Sequence, residues 1–228
     1  TYLDAMLQNF GGRFPTTKDF SIYARSTLKE VTAKEHPDAA VMAWMEREEV
    51  LFRTLERHII AERLTTGFNN DVDGFIDFSL SVQNRRKSRA GRALENHMEV
   101  AFIENGIKYS RTTVTERKNK PDFLFPGEQE YRNPDFDPLR LTMLGVKSSC
   151  KDRWRQVLTE AERISHKHLM TLETAISTNQ TDEMQAKNLQ LVLPESLHQT
   201  YTPKQQAWLM KVGDFMELVC ARQSQSIL

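Results

Sequence analysis

Asp122, Lys147 and Glu160 are scattered along this sequence, yet together they are of the residue types that hydrolyse a phosphodiester. That reaction calls for a metal ion to activate water and neutralise phosphate charge, held by carboxylates, and for a cation to steady the reacting oxygens. Pro121-Asp122 opens a short apolar run, Phe123-Leu124-Phe125, and Lys147 closes a later one, Leu141 to Val146. If these runs pair as antiparallel strands, the start of one lies beside the end of the other, and Asp122 meets Lys147. Glu160 follows Lys147 by thirteen residues. On a helix turning about 100° per residue it falls just beyond the apolar stripe of Val157, Ala161 and Ile164, from which it leans back toward a sheet. Taken singly, these residues read more readily as ordinary strand-end polar groups and a solvent-facing helical glutamate; their surroundings are what point to chemistry.

These residues need a framework of strands and helices. The first eighty or so residues read as mainly helical: Asp38 is a candidate N-cap, and Val41, Trp44, Met45, Leu51, Leu55 and Ile59 recur at helical spacing through Leu64. Gly67-Phe68-Asn69-Asn70 breaks the pattern, and a second helix is expected from Lys87 to Glu104, stopped by Asn105-Gly106. The period then changes. Ile107 to Arg111, Phe123 to Phe125 and Leu141 to Val146 read as three strands. Asp152 is placed to cap a long helix running from Trp154 to Leu172, Leu189 to Leu193 reads as a further strand, and Thr202-Pro203 opens a last helix through Val219. The expected class is α/β, a mixed central sheet flanked by helices with a helical N-terminal elaboration. Residues 1–85 would form the elaboration and 86–228 the core of a single domain.

Composition narrows the possible partners. With 228 residues, 39% hydrophobic, the chain can bury a sizeable core. No apolar stretch approaches membrane-spanning length and the opening residues do not resemble a signal peptide, so no membrane partner is expected. Two cysteines, Cys150 and Cys220, make no disulfide framework, which favours a reducing cytoplasm. The start at Thr1 rather than Met suggests an excised or processed fragment. Net charge is zero, but between Arg85 and Arg155 sixteen Lys and Arg face ten Asp and Glu, leaving +6 there and −6 elsewhere. A locally basic middle can neutralise phosphates. The same count also suits a solvated charged face.

In Lys120-Pro121-Asp122, Val146-Lys147 and Glu160 the sequence resembles the PD-(D/E)XK restriction endonucleases. In many of these the second acid stands two residues before the lysine; here that position is Gly145. The resemblance is specifically to the EcoRII branch, whose pattern moves this acid onto the following helix, and the block from Cys150 to Leu158 supports it. The resemblance implies a restriction-endonuclease-like fold and Mg2+ held by Asp122 and Glu160, with Lys147 assisting the attacking water. It also implies a further glutamate on the preceding helix, for which Glu95 in the stretch Arg89 to Glu95 is the choice and Glu99 the runner-up. It implies double-stranded DNA as partner, a CCWGG-like site cut 5′ of the first C, a homodimer in a bacterial cytoplasm, and base flipping at the central pair. A separate amino-terminal DNA-binding domain belongs to such enzymes and is not in this sequence, so cutting of a single site without a second DNA copy is expected.

Lys151-Asp152-Arg153 follows closely on Lys147. Lysine and arginine donate to guanine O6 and N7, and aspartate accepts from cytosine N4, so the triplet suits C:G pairs; helix capping with two solvated basic side chains is the plainer alternative. The resemblance favours base reading. Arg155, Arg85, Arg86 and Lys87 are candidates for phosphate contacts, which set register without carrying sequence information. Trp44 could stack on a flipped base, although it sits on an apolar helical face and suits core packing as well. His166 and His168 lack zinc-ligand spacing and are expected to decorate the helix that carries Glu160; Cys150 has no identifiable base beside it. Two other functions remain compatible: a repair or recombination nuclease of the same fold, and a DNA-binding module without catalysis.

Overall fold

The computed structural model describes residues 1–224. The chain divides into two compact units, residues Thr1–Val31 with Met42–His97, and Thr32–Val41 with the chain from Met98 onward.

The first unit is helical. It contains α1 (Tyr2–Phe10), α2 (Thr17–Ser26), and the parts of α3 (Pro37–Thr66) and α4 (Val72–Glu104) that fall within its bounds. Thr1 and Thr16 cap α1 and α2 by accepting from the backbone N–H of Asp4 and Asp19, each filling one of the unpaired donors at a helix start. Met6, Phe20, Ala24, Leu51, Phe52 and Leu55 form its core. Beneath them lies a buried ionic network: Arg25 donates to His97 Nδ1 at 2.8 Å, and His97 Nε2 meets Glu48 at 2.9 Å. The helix expected from Lys87 begins at Val72.

The second unit carries a sheet. Its strands are β1 (Ser110–Arg111), β2 (Phe123–Phe125), β3 (Thr142–Lys147), β4 (Lys167–Thr171) and β5 (Leu189–Val192), in that spatial order. The first two pairings are antiparallel and the last two parallel. Alternation along β2 shows how the sheet is covered. Phe123 and Phe125 point to one face, where Phe102 of α4 meets their rings edge-on at 5.2 and 5.1 Å, and Phe215 of α10 (Val212–Ser224) packs at 5.8 Å from Phe125. Leu124 points to the other, joining Met143, Trp154, Val157, Leu169, Met184 and Leu191. On that side stand the short α6 (Trp154–Val157) and α7 (Thr178–Ala186), and the single turns α5 (Glu128–Arg132), α8 (Glu195–His198) and α9 (Pro203–Gln206) belong to the same unit.

Three expectations are corrected here. The long helix from Trp154 to Leu172 does not form: α6 ends at Val157, a turn follows, and Lys167–Thr171 is β4, a central strand. All five residues of β4 are buried, so it lacks the polar–apolar alternation that marks a half-exposed strand, and Leu and Met suit a helix as well. His168 therefore lies in the sheet, fully buried, rather than decorating a helix. The last helix is broken into a turn of helix at Pro203–Gln206 and α10, with Met210 bridging to Val192 between them. Asp38 caps a different helix from the one expected: its carboxylate accepts from the backbone N–H of Val212 and Gly213 at the start of α10, both at 2.9 Å.

Candidate active site

The antiparallel register of β2 with β3, Phe123 opposite Leu144, carries Asp122 alongside the end of β3. Asp122 Oδ2 accepts from the Val146 backbone N–H at 2.6 Å and from Lys147 Nζ at 2.8 Å. Both bonds fall on the same oxygen, so neither engages Oδ1. The pair is largely but not fully enclosed, with 13% of the Asp122 side chain and 19% of the Lys147 side chain exposed.

Glu160 enters from the turn after α6, where its N–H donates to the Val157 carbonyl at 3.2 Å. It is 8% exposed and its Oε2 is buried without a hydrogen-bond partner. Burial pushes its carboxyl up to about 7; Lys147 pulls it down and Asp122 pushes it up, as neighbours of opposite and like charge must. The turn is unusual, with Ala161 at φ 51. Lys167, itself 7% exposed, holds it: its ammonium donates to the carbonyls of Glu160 and Ala161, the second at 3.0 Å. Desolvation lowers the Lys167 pKa, with Glu160 opposing.

Gly145 explains why the acid cannot stand on β3. A Cβ there would lie 2.9 and 3.2 Å from the two methyls of Val157, inside ordinary contact distance. The strand position is closed by the helix that leads to Glu160.

Among the described residues no group of three or more His, Cys, Asp or Glu is placed to hold a metal ion; Asp122 and Glu160 are linked by the like-charge repulsion that raises the Glu160 carboxyl. Hard oxygen donors, one of them buried and unpartnered, fit a small divalent cation, and Mg2+ is commonly held by one or two carboxylates with water and phosphate completing its shell. Glu95 is half-buried on α4 in the helical unit. Glu99 is committed elsewhere, accepting from Tyr109 Oη at 2.9 Å and Arg111 at 2.8 Å.

Lys151 and Arg153 are exposed on a single 3-10 turn, Lys151–Arg153, that follows β3 closely. The Asp152 side chain lies outside the described residues. Arg155 is exposed, stacked on Trp154 and paired with Glu183 at 2.9 Å. Of the basic run on α4, Lys87 is exposed and Arg85 lies over the Phe14 ring, but Arg86 grips the buried Glu56 through Nε and Nη2 at 2.7–3.0 Å. Arg86 thus has a structural partner rather than a free guanidinium. Trp44, considered for stacking, is 1% exposed with its ring against His97 at 5.9 Å; it is a core residue with no face to offer. Cys150 is buried, and burial pushes its thiol up to about 12, as suits an inert thiol. Sequence reasoning missed Lys167 and Glu173. A lysine heading the otherwise apolar run His168-Leu169-Met170 was the one available signal for the first.

The family model described as EcoRII C terminal matches residues 52–216. This chain belongs to that family. Within the EcoRII C-terminal family it is similar to the type II restriction enzyme EcoRII of Escherichia coli, 41% identical over 205 residues that cover 90% of the chain and 50% of the relative. The chain thus spans about half the length of that relative. Its fold is also that of two solved restriction endonucleases. Metal-depleted Ecl18kI in complex with uncleaved, modified DNA aligns with a TM-score of 0.79 at 17% identity, covering 100% of this chain and 86% of that one. A PspGI–substrate DNA complex aligns with a TM-score of 0.74 at 16% identity, covering 95% and 94%. The mixed sheet and flanking helices expected from the sequence are therefore those of an EcoRII-type restriction-endonuclease core.

Proposed function

We propose that this chain is a type II restriction endonuclease that requires Mg2+ and cuts double-stranded DNA at a CCWGG-like site, 5′ of the first C. One observation carries the reading: Asp122 and Lys147, distant in sequence, meet at one end of β3, and the buried, unpartnered carboxylate of Glu160 feels both as charged neighbours. Both structural relatives are complexes with DNA, which supports the choice of partner.

Asp122 and Glu160 would hold the cation, which when bound supplies the charge that activates water and offsets negative charge on the phosphate. Asp122 orients Lys147 through the 2.8 Å bond and leaves its remaining ammonium protons for the attacking water or a phosphate oxygen. Closely following Lys147, Lys151 and Arg153 donate to guanine edges and Asp152 accepts from cytosine. Carrying readers and catalytic lysine on one strand and its turn couples base reading to placement of the scissile bond. Arg155, Arg85 and Lys87 serve phosphate contacts. A near-palindromic site cut in both strands requires two active centres related by a two-fold axis, hence a homodimer, in the cytoplasm of a bacterium.

The test is incubation of the purified chain with long DNA of known sequence, with and without Mg2+, followed by mapping of the ends. Defined fragments are expected, lost in Lys147→Ala and Glu160→Ala while duplex binding in Ca2+ survives; Glu95→Ala belongs in the same series. Structure-dependent nicks would instead indicate a repair-type nuclease, and binding without product a non-catalytic module.

A further inference from the structure

We propose that Glu173 is a positioning residue for sequence recognition, clamping the turn that presents Lys151 and Arg153. The proposal rests on the reading that this turn contacts bases. Parallel pairing sets Lys147 opposite Thr171, so the chain leaving β4 runs beside the chain leaving β3. There Glu173 Oε2 accepts from the backbone N–H of Cys150 and from that of Lys151, the latter at 3.0 Å, with the Ser149 hydroxyl at 3.5 Å. Successive amides converging on one oxygen form an anion cradle, and a carboxylate of the protein itself fills it.

The clamp is anchored at both ends. The Glu173 carbonyl accepts from Tyr201 Oη at 2.6 Å, with Tyr201 4% exposed, and the Glu173 N–H donates to Thr171 Oγ1 at 3.2 Å. On the other side the Cys150 side chain is fully buried in the core. Lys151, between them, holds φ 34, a left-handed conformation that a residue with a side chain keeps only when its surroundings impose it. Glu173 supplies that constraint. Among the described residues its carboxylate bonds only to the turn, and not to the Lys147 ammonium or the Asp122 carboxylate. Its effect therefore falls on which DNA is accepted, through the direction in which Lys151 and Arg153 leave the turn.

Because the clamp works by acceptor position, the length of the side chain matters more than its charge. Glu173→Gln keeps a carbonyl oxygen at the same reach, whereas Glu173→Asp keeps the charge and withdraws it by one methylene. The experiment measures affinity in Ca2+ for a duplex containing CCAGG and for one with a single C:G pair replaced, together with hydrogen exchange at the amides of residues 150 and 151. In Glu173→Ala and Glu173→Asp the ratio of the two affinities is expected to fall about tenfold, the worth of one good base contact, and exchange at both amides to accelerate. Affinity for the substituted duplex should stay put, and Glu173→Gln should resemble the wild type. An unchanged ratio in Glu173→Asp overturns the inference, as does a Glu173→Gln protein that discriminates as poorly as Glu173→Asp; the aspartate and glutamine variants keep the test open even if alanine prevents folding. A wild-type ratio near one overturns the base-reading role of the turn itself, whereas a high wild-type ratio indifferent to residue 173 removes only the clamp.

Discussion

Replacing Gly145 by alanine drives a methyl group into Val157. The new Cβ would sit 2.9 and 3.2 Å from the two valine methyls and 3.6 Å from Leu169 Cδ1, where relaxed carbon contacts lie at about 3.5–4.0 Å. Val157 is fully buried and, being β-branched, has little rotamer freedom with which to retreat. Overpacking of this kind costs roughly 1–3 kcal/mol. At about 2–4 °C per kcal/mol for a chain of this size, Gly145→Ala should lower Tm by some 4–8 °C if the cost is about 2 kcal/mol. Val157→Ala removes both offending methyls and destabilises by itself through lost burial, at about 0.8 kcal/mol per methylene-sized group before any cavity cost. In the double variant the methyl added at position 145 enters the space that the Val157 methyls vacate. The two effects should then be less than additive, with a coupling of roughly 1 kcal/mol or more in favour of the pair. Denaturant titration of the four proteins in the cycle measures this. A Gly145→Ala protein as stable as the wild type, or strictly additive losses, would refute the argument that Val157 closes the strand position to a carboxylate.

Lys167→Met leaves the carbonyls of Glu160 and Ala161 without their buried donor, so roughly 1–3 kcal/mol of stability should be lost, and the Mg2+ concentration for half-maximal cleavage should rise; a metal dependence equal to wild type would argue that the turn holds Glu160 unaided. Arg86→Ala strips the buried Glu56 of its two-pronged partner, so it should destabilise the fold by roughly 1–3 kcal/mol and leave the salt dependence of DNA binding unchanged; a reduced salt slope would return Arg86 to the phosphate contacts. His168 is buried, and burial first, then His166 and Arg222, push its pKa down to about 3 from the ordinary 6.5. The unfolded chain therefore binds the extra proton between those values, and stability present above pH 6.5 declines as pH falls, at about 1.4 kcal/mol per unit for this one group. His168→Phe, beside Phe215, should flatten the difference in denaturation midpoint between neutral pH and about pH 5, where the wild type should have lost about 2 kcal/mol; an equally steep decline in the variant would place the sensitivity elsewhere.

The pairing of Asp122 with Lys147 was legible in the chain alone, as were the two apolar runs that become the strands beside them. Asp122 before Phe123-Leu124-Phe125 and Lys147 after Leu141 to Val146 sit at opposite ends of apolar runs, and antiparallel pairing, the commonest arrangement for neighbouring strands, is enough to join them. What the sequence did not reveal was the path from Lys147 to Glu160 and beyond. Trp154, Val157, Ala161, Ile164 and Leu169 recur at helical spacing, and local periodicity cannot distinguish a continuous amphipathic helix from a short helix, a buried turn and a central strand that face one core in succession. Tertiary contacts made that choice. A parallel strand covered on both faces is buried throughout, and the turn with Ala161 at φ 51 has its carbonyls bonded by Lys167, from a strand that follows it. Trp44 and Arg86 went the same way, since residue type offers equal warrant for a ligand contact and for a buried partner such as His97 or Glu56. Spacing along a chain fixes which side chains share a face of one element, whereas what stands opposite that face is set by elements far away in sequence, and here that decided that Trp44 and Arg86 are buried or paired.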